Sequence, residues 1–425
     1  MGLEPKRGVT IAMALAVLVP GLAGVVHPAG TGTSNPSNGT LAIVGVVFLS
    51  PRAEPIEDGA VLMIDGRIAA VGPRSEVEVP ADAEVINASG GSVLAGFWNM
   101  HVHFTEPVWM GADTLPAEVL AEALREMFLQ HGFVRVLDTG SSLDNTLALC
   151  RRIESGEVPG PEVRTAGIPF APPDGTPIYL RPLELPALES PAAARDSVRA
   201  RLAAGADAIK LFTGSPVDGE NPPVLMDEAV VAAVAAAAHG AGALVVAHPQ
   251  SAEGARIAVE GGVDLLAHTT PASGAAWDPE LIRAMVESGI ALAPTLKLWA
   301  WELERAGRPP EAVRAFQELG VRQLADFARA GGRVVFGTDV GYMADHDPTG
   351  EYRLMAEAGL DLEAILAALT IAPAEVLGEG DRAGRLAPGM AADLVVVDGR
   401  PDRAIEALGD VRLTVREGKI VYRRP

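Results

Sequence analysis

The stretch "GFWNMHVHF", residues 96–104, places two histidines one residue apart at the end of an apolar run. Side chains alternate along a strand, so His101 and His103 project to one side and Val102 to the other. Two imidazoles so placed are either half of a metal site or a structural pair. The choice turns on whether other ligand-type residues recur where a fold would gather them. They do recur: Lys210 in "AIKLF", His248 closing "VVAH", His268 closing "LLAH" and Asp339 closing "GTD". Imidazole and carboxylate are good Zn²⁺ ligands, and four histidines with one aspartate suffice for two divalent ions if an anion bridges them. Lys210 is the odd member, because an ammonium beside two dications would be repelled. Desolvation and nearby cations favour its neutral amine, which can add CO₂ to become a carbamate whose two oxygens can bridge two metals.

Such residues need a frame that brings them together. From Ser92 to about Gly378 short apolar strands alternate with Ala-rich helical runs such as "PAEVLAEALREMFLQHG" and "MDEAVVAAVAAAAHGAG". This is the pattern of βα units around a parallel sheet. Eight strand candidates can be read: "VLAGFWNMHVHF", "FVRVLD", "EVRTAG", "DAIKLF", "ALVVAH", "DLLAH", "IALAPT" and "RVVFGTD". Eight such units predict a (β/α)₈ TIM barrel over residues 92–378, in which chemistry sits at the C-terminal strand ends. His101, His103, Lys210, His248, His268 and Asp339 all fall at or near those ends. Both termini have a different character. "LAIVGVVFLS" and "GAVLMIDGRIAAVG", with a turn at Asp65-Gly66, are matched near the C-terminus by "ADLVVVDGRP" and "VRLTVREGKIVYRR", with a turn at Glu417-Gly418. Residues 31–91 and 379–425 are therefore expected to build one small composite β-sandwich domain, with the barrel inserted between its halves.

The composition bounds what such a protein can do. Its 425 residues are 48% hydrophobic but only 4% aromatic, which describes an aliphatic core large enough for one barrel and a smaller companion. With 34 Lys+Arg against 55 Asp+Glu the net charge is −21, a field that repels phosphate backbones, so nucleic acid is excluded as a partner. The single cysteine, Cys150, rules out an intrachain disulfide and a thiolate metal cluster, and reads as a buried small hydrophobe. At the N-terminus Lys6 and Arg7 precede "GVTIAMALAVLVPGLAGVV" and then a Gly, Ser, Thr and Pro-rich segment. Residues 1–30 therefore read as a signal peptide for a secreted or periplasmic protein, with an uncleaved anchor as the rival. The apolar run is broken by Pro20-Gly21, whereas a membrane span needs about 20 unbroken apolar residues.

From about Leu41 to the C-terminus the chain resembles the amidohydrolase superfamily, in its binuclear type with a carboxylated lysine. The resemblance rests on "HVH" after "AGFWNM", "AIKLF", "VVAH", "LLAH", "GTD" and the closing "LTIAPAEVLG" and "GRLAPGMAADLVVVD". It is nearest to the imidazolonepropionase-related branch that includes Xaa-Pro dipeptidases. It implies that His101, His103 and Asp339 hold the more buried ion and His248 and His268 the more exposed one, with carboxylated Lys210 between them. Zinc is the expected metal, a bridging hydroxide the nucleophile, and Asp339 the group that shuttles the proton to the leaving nitrogen. Two positions depart from the branch: Gln250 stands where a second histidine often follows the strand-5 ligand, and Asn99 where an aspartate is usual.

Other candidates read as structural. His131 and His239 each precede glycine at a helix end, where a cation suits the dipole. His27 lies in the presumed export segment. His346, in "GYMADHDPTGEY", is left undecided, and Trp299 and Trp301 in "KLWAWELER" either line a pocket or pack a loop helix. The expected function is hydrolysis of an amide-type C–N bond in a small-molecule substrate, a dipeptide or N-acyl amino acid. The alternatives are a cyclic amide or lactone hydrolase and a non-catalytic binding scaffold. A homo-oligomer is allowed, and no stable membrane span is expected once the signal is removed.

Overall fold

The computed structural model describes residues 39–218 and 221–425; the presumed signal peptide, 1–30, lies outside the described residues. Short apolar runs bounded by turn residues near the N-terminus produce β1 (Thr40–Val47), β2 (Ile56–Ile64), β3 (Arg67–Pro73) and β4 (Glu84–Ala95). These ladder with β15 (Leu394–Asp398), β16 (Val411–Arg416) and β17 (Lys419–Arg423) in the order β17-β16-β15-β4-β1-β2-β3. A composite domain built as a sandwich was expected; the strands from both chain ends join in one continuous seven-stranded sheet. β4 carries that sheet to Ala95, past the boundary expected at residue 91, and lies antiparallel to β15 with Ala95 opposite Leu394. Both tight turns form where their sequence places them. Asp65-Gly66 and Glu417-Gly418 have positive φ at both central residues, the conformation of a two-residue hairpin turn. The two turns also meet, since a Cβ on Gly66 would lie 3.1 Å from the Glu417 carbonyl oxygen.

The intervening residues supply β5 (Phe97–Val102), β6 (Phe133–Asp138), β7 (Glu162–Thr165) and β8 (Ala208–Phe212). After a short pair, β9 (Gly214–Ser215) and β10 (Val224–Leu225), come β11 (Leu244–His248), β12 (Leu265–Ala267), β13 (Ala291–Ala293) and β14 (Arg333–Val334). Apart from the short pair these strands are parallel, in two arcs: β5-β6-β7 and β8-β11-β12-β13-β14. Backbone hydrogen bonds outside the ladders cross both gaps between the arcs. Phe170 N–H donates to the Lys210 carbonyl at 2.9 Å, and Met100 N–H to that of Phe336 at 2.7 Å.

Helices cover the outside for ordinary reasons. In Ala117–Met127 the buried Leu120, Leu124 and Met127 recur at i, i+4 and i+7. Pro279–Ser288 starts with Asp278 accepting from Leu281 N–H, has Pro279 in its first turn and stops at Gly289 with φ 75°. On the side of the barrel near the small sheet, buried Arg135 at the start of β6 sits 5.0 Å over Trp98 and pairs with Glu162, Glu379 and Asp393. No described helix is long and apolar enough to cross a membrane.

Candidate active site

The side chains singled out in the sequence converge at the C-terminal ends of the parallel strands. His101 lies in β5 and His103 just beyond it; Lys210 is within β8, His248 ends β11 and His268 follows β12. Asp339 lies in the segment after β14, which hydrogen-bonds residue by residue to β5: Thr338 and Asp339 N–H both donate to the His101 carbonyl. Asp339 Oδ1 is 2.9 Å from His103 Nε2 and 3.3 Å from His101 Nε2, and Oδ2 is 3.9 Å from His268 Nε2. The ligand atoms of His101, His103 and Asp339 all lie within 4.8 Å of one another. His268 links the two halves of the cluster, with ring centroids 4.6 Å from His101 and 4.7 Å from His248.

Electrostatics put His101, His248, His268 and Asp339 in the protonation states a metal demands, with His103 the exception. Burial lowers the pKa of His101 to about 3 and that of His248 to about 4, and drives His268 well below its ordinary value. Burial works against charge on His103 too, but the Asp339 carboxylate, 2.9 Å from its Nε2, and the charge of Asp138 raise it. For Asp339, burial alone would favour the acid, yet His101 and His103 hold it well below the usual carboxylate range. Lys210, 3% exposed, is lowered by burial to about 7, so its amine is available in neutral form near physiological pH. Asp339 Oδ1 is buried with no hydrogen-bond donor. An anionic oxygen left so, facing two imidazole nitrogens, fits a bound cation.

Hydrogen bonds outside the cluster fix the ring faces. His103 Nδ1–H donates to the Gly140 carbonyl at 3.0 Å, which leaves Nε2 for the site. The Thr295 hydroxyl donates to the Pro294 carbonyl and so accepts from His268 Nδ1–H at 2.6 Å, again freeing Nε2. His248 is reversed: Nε2–H donates to Gln250 Oε1 at 2.9 Å, which turns Nδ1 inward. Gln250 thus has a role at the position where the branch often has histidine. Asn99, the other departure, accepts from His101 N–H and donates to the Thr338 hydroxyl at 2.7 Å, tying β5 to the Asp339 segment. Four residues at the site, Gln250, His268, Thr295 and Asp339, have φ of 56°, 74°, 46° and 65°. Strain of this kind in non-glycine residues gathers where side chains must be aimed.

Sequence reasoning missed several supports. Asp138, at the end of β6, is fully buried and accepts from Gly140 N–H, Ser141 Oγ and Thr165 Oγ1, building the turn whose carbonyl holds His103. The strand-end rule applied to "FVRVLD" could have found it. Glu351, also fully buried and raised to about 7 by burial, accepts from Leu296 and Lys297 N–H and so anchors the residues following Thr295. Nothing local in "TGEYRLM" signals that. His346 bonds Glu106 at 2.8 Å, joining the loops after β5 and β14. His131 ends a helical turn as expected, but burial lowers its pKa to about 4, so it is neutral there and the dipole argument for it fails. His239 ends Glu228–His239 and pairs with Asp264. Cys150 is half-buried, its thiol pushed up to about 12 by burial.

A family model described as "Amidohydrolase family" matches residues 92–421. Ochratoxinase from Aspergillus niger is 26% identical over 392 residues, covering 82% of this chain and 79% of that protein. The crystal structure of a prolidase complexed with N-methylphosphonate-L-proline superposes with a TM-score of 0.75 at 26% identity, covering 91% of this chain and all of that one. An imidazolonepropionase from Haloarcula marismortui is 33% identical over 110 residues, 23% of this chain. The match spans only 26% of that relative, and a match to a Pelotomaculum thermopropionicum dihydroorotase only 17% of its length.

Proposed function

This chain belongs to the amidohydrolase family, and from that premise, which carries the TIM-barrel fold, we propose a metal-dependent enzyme that hydrolyses an amide-type C–N bond in a small molecule such as a dipeptide or N-acyl amino acid. The observation that carries the reading is the convergence of buried His101, His248, His268, Lys210 and Asp339 with half-buried His103 at the strand ends. His101, His103 and Asp339 would hold one divalent ion and His248 and His268 a second, with Lys210 as a carbamate between them. When bound, the ions would polarise the scissile carbonyl and lower the pKa of a water, with zinc the natural candidate for this donor set. Asp339, kept anionic by its imidazole neighbours, accepts the attacking water's proton and delivers it to the leaving nitrogen. His103 and His268, held by Gly140 and Thr295, keep their Nε2 lone pairs aimed inward. The neighbouring prolidase and ochratoxinase support hydrolysis of this kind. The short imidazolonepropionase match favours a second reading, hydrolysis of a cyclic amide. The division into a catalytic barrel and a companion β-domain, and export of the protein, belong to the same proposal.

The discriminating test is Lys210→Ala. If Lys210 is the bridge, the variant loses about two bound ions and most turnover, and a short-chain carboxylic acid restores part of both. A lysine acting through its ammonium would be mimicked by an added amine instead. Rescue by amine but not acid, or a fully active Lys210→Arg variant, would overturn the bridge. A panel of dipeptides, N-acyl amino acids and lactams separates the two substrate readings.

A further inference from the structure

The two tryptophans of "KLWAWELER" have separate jobs. Trp299 is buried, donates its indole N–H to Thr269 Oγ1 at 2.9 Å and packs edge-on to His268 with centroids 5.9 Å apart. It is a support for a ligand ring. Trp301, on the same helix (Leu296–Arg305), is half-buried, its edge turned to Tyr342 at 5.7 Å. Tyr342 in turn lies 5.5 Å from Tyr179. These three rings come from three different loops, after β13, β14 and β7, which meet only at the C-terminal end of the barrel.

That end is where the ligand cluster lies. Tyr342 is three residues from Asp339, in a turn folded back on it: Met343 N–H donates to the Asp339 carbonyl at 3.0 Å, and Thr105 Oγ1, just after His103, donates to the Gly341 carbonyl at 2.7 Å. Tyr179 is held from the other side, with Ile178 N–H bonded to the Pro216 carbonyl in the loop after β8. Behind the rings lie two apolar clusters, one with Leu298, Trp299 and Met343, the other with Ala171, Leu185 and Phe212. Among the described residues the Tyr179 hydroxyl has no hydrogen-bond partner, whereas the Tyr342 hydroxyl donates to Glu302 Oε1 at 2.6 Å. Of the two cations of this helix, Arg305 is engaged on the face of Trp301 at 4.9 Å and Lys297 pairs with Asp345 at 2.7 Å. The charge of Asp339 is felt at Tyr179, Tyr342 and Glu302 alike, which is consistent with all three facing the same space.

We propose that Tyr179, Trp301 and Tyr342 form an aromatic wall at the mouth of the candidate active site, and that the amide hydrolysed there carries an aromatic or other large flat apolar side chain, in preference to an acidic side chain, next to its scissile bond. Rings set at 56° and 65° to one another offer edges and faces to a further ring. An apolar wall with few polar groups is the usual means of orienting a small ligand. Glu302, bonded to the Tyr342 hydroxyl, places a carboxylate in the wall itself, so an acidic side chain laid against it meets repulsion.

This inference rests on the proposed hydrolase reading, so its test has one arm without turnover. Saturation-transfer NMR on the full chain with 4-phenyl-2-butanone, a neutral ketone lacking the scissile nitrogen, should show ring protons in contact with protein, with 3-phenylpropionate at least ten-fold weaker. Trp301→Leu and Tyr179→Leu, each verified as folded by near-UV circular dichroism, should abolish the ketone contact. In the turnover arm, Gly-Phe and Phe-Gly are compared with Gly-Ala, Ala-Gly, Gly-Glu and Glu-Gly using metal-loaded protein. In one orientation the aromatic member should exceed its alanine counterpart at least ten-fold in kcat/KM, and Trp301→Leu should cut that ratio to about two-fold, mainly through KM. Ketone binding lost on Trp301→Leu, with no dipeptide cleaved, would sink the hydrolase reading and leave the wall standing. Turnover with equal aromatic and alanine rates, or an unchanged ratio in both variants, would overturn the wall.

Discussion

Gly140→Ala isolates the support of a single candidate ligand. Gly140 lies in the turn built on Asp138, outside the left-handed region, so adding a methyl group introduces no backbone strain and its effect is steric. The new Cβ would lie 3.1 Å from His103 Cε1, 3.2 Å from His103 Nδ1 and 3.1 Å from Pro169 Cγ. Carbon atoms in contact prefer about 3.5–4.0 Å, so the imidazole must yield by roughly half an ångström. It has little freedom to do so, since Nδ1 is bonded at 3.0 Å to the carbonyl of Gly140 itself and Nε2 stands 2.9 Å from Asp339 Oδ1. A displacement of about 0.5 Å is the tolerance of a working constellation, and disturbing a ligand's outer hydrogen bond costs about 10–100-fold in metal affinity. We therefore expect Zn²⁺ affinity to fall at least about ten-fold, with overpacking costing the metal-free fold about 1–3 kcal/mol. Competition against a chromophoric chelator reads the first quantity, and thermal melting of metal-free protein the second. Wild-type affinity in a variant whose melting is lowered would refute the reasoning: the methyl group would have displaced His103 without consequence for the ion.

Three further outcomes follow from other parts of the structure. Thr295→Val removes the acceptor of His268 Nδ1–H; we expect about ten-fold weaker binding of the more exposed ion and a change in the His268 tautomer population by ¹⁵N NMR of metal-free protein, and an unchanged tautomer would show that the hydroxyl does not set the ring. His248 has a folded pKa of about 4 against 6.5 unfolded, so the unfolded chain binds more protons between those values and metal-free stability is lost as pH falls from 6.5 to 4, by roughly 3 kcal/mol for this group; urea midpoints should show that His248→Gln flattens this slope, and an undiminished slope would assign it elsewhere. N-terminal sequencing of protein from an exporting host should find residues up to about Gly30 removed, and an intact Met1 in a cytoplasmic form would end the export reading.

The candidate ligands were legible because strand alternation and strand-end position are both properties of the chain. His101 and His103 share a side by parity alone, and "VVAH", "LLAH" and "GTD" each end a run that reads as a strand. The supports were not legible, because they depend on loops meeting in space. Gly140 is unremarked in "LDTGSS" until its carbonyl is found against His103, and Glu351 caps residues more than fifty positions earlier in the chain. Strand lengths were misread for a related reason. "RVVFGTD" reads as one strand, yet only Arg333–Val334 ladder with β13: Val335 N–H still bonds Leu292, but Phe336 N–H turns to Ala368 and Thr338 and Asp339 N–H to His101 of β5. The small domain reads past residue 91 because "SVLA" pairs with Leu394–Val397 before the barrel begins. His131 shows the limit of position as evidence of charge: it stands at a helix end, but burial lowers its pKa to about 4.

The pairing of β4 with β15 has a consequence for how the molecule is made. Gly96 N–H bonds the Asp393 carbonyl at 2.9 Å, so the chain enters and leaves the barrel at one point. About 300 residues must emerge between those two partners, and at roughly 5–20 residues per second the edge of β4 waits some 15–60 s for its neighbour. During that interval the apolar residues Val93 and Leu94, buried in the finished sheet, have β1 on one side but no strand on the other, which is the condition under which an open edge recruits another chain. The last strands thus act as a closing seam. Release of the chain before residue 394 would leave an open edge whatever the state of the barrel, so aggregation of C-terminally shortened forms should be governed by this seam and not by the catalytic core.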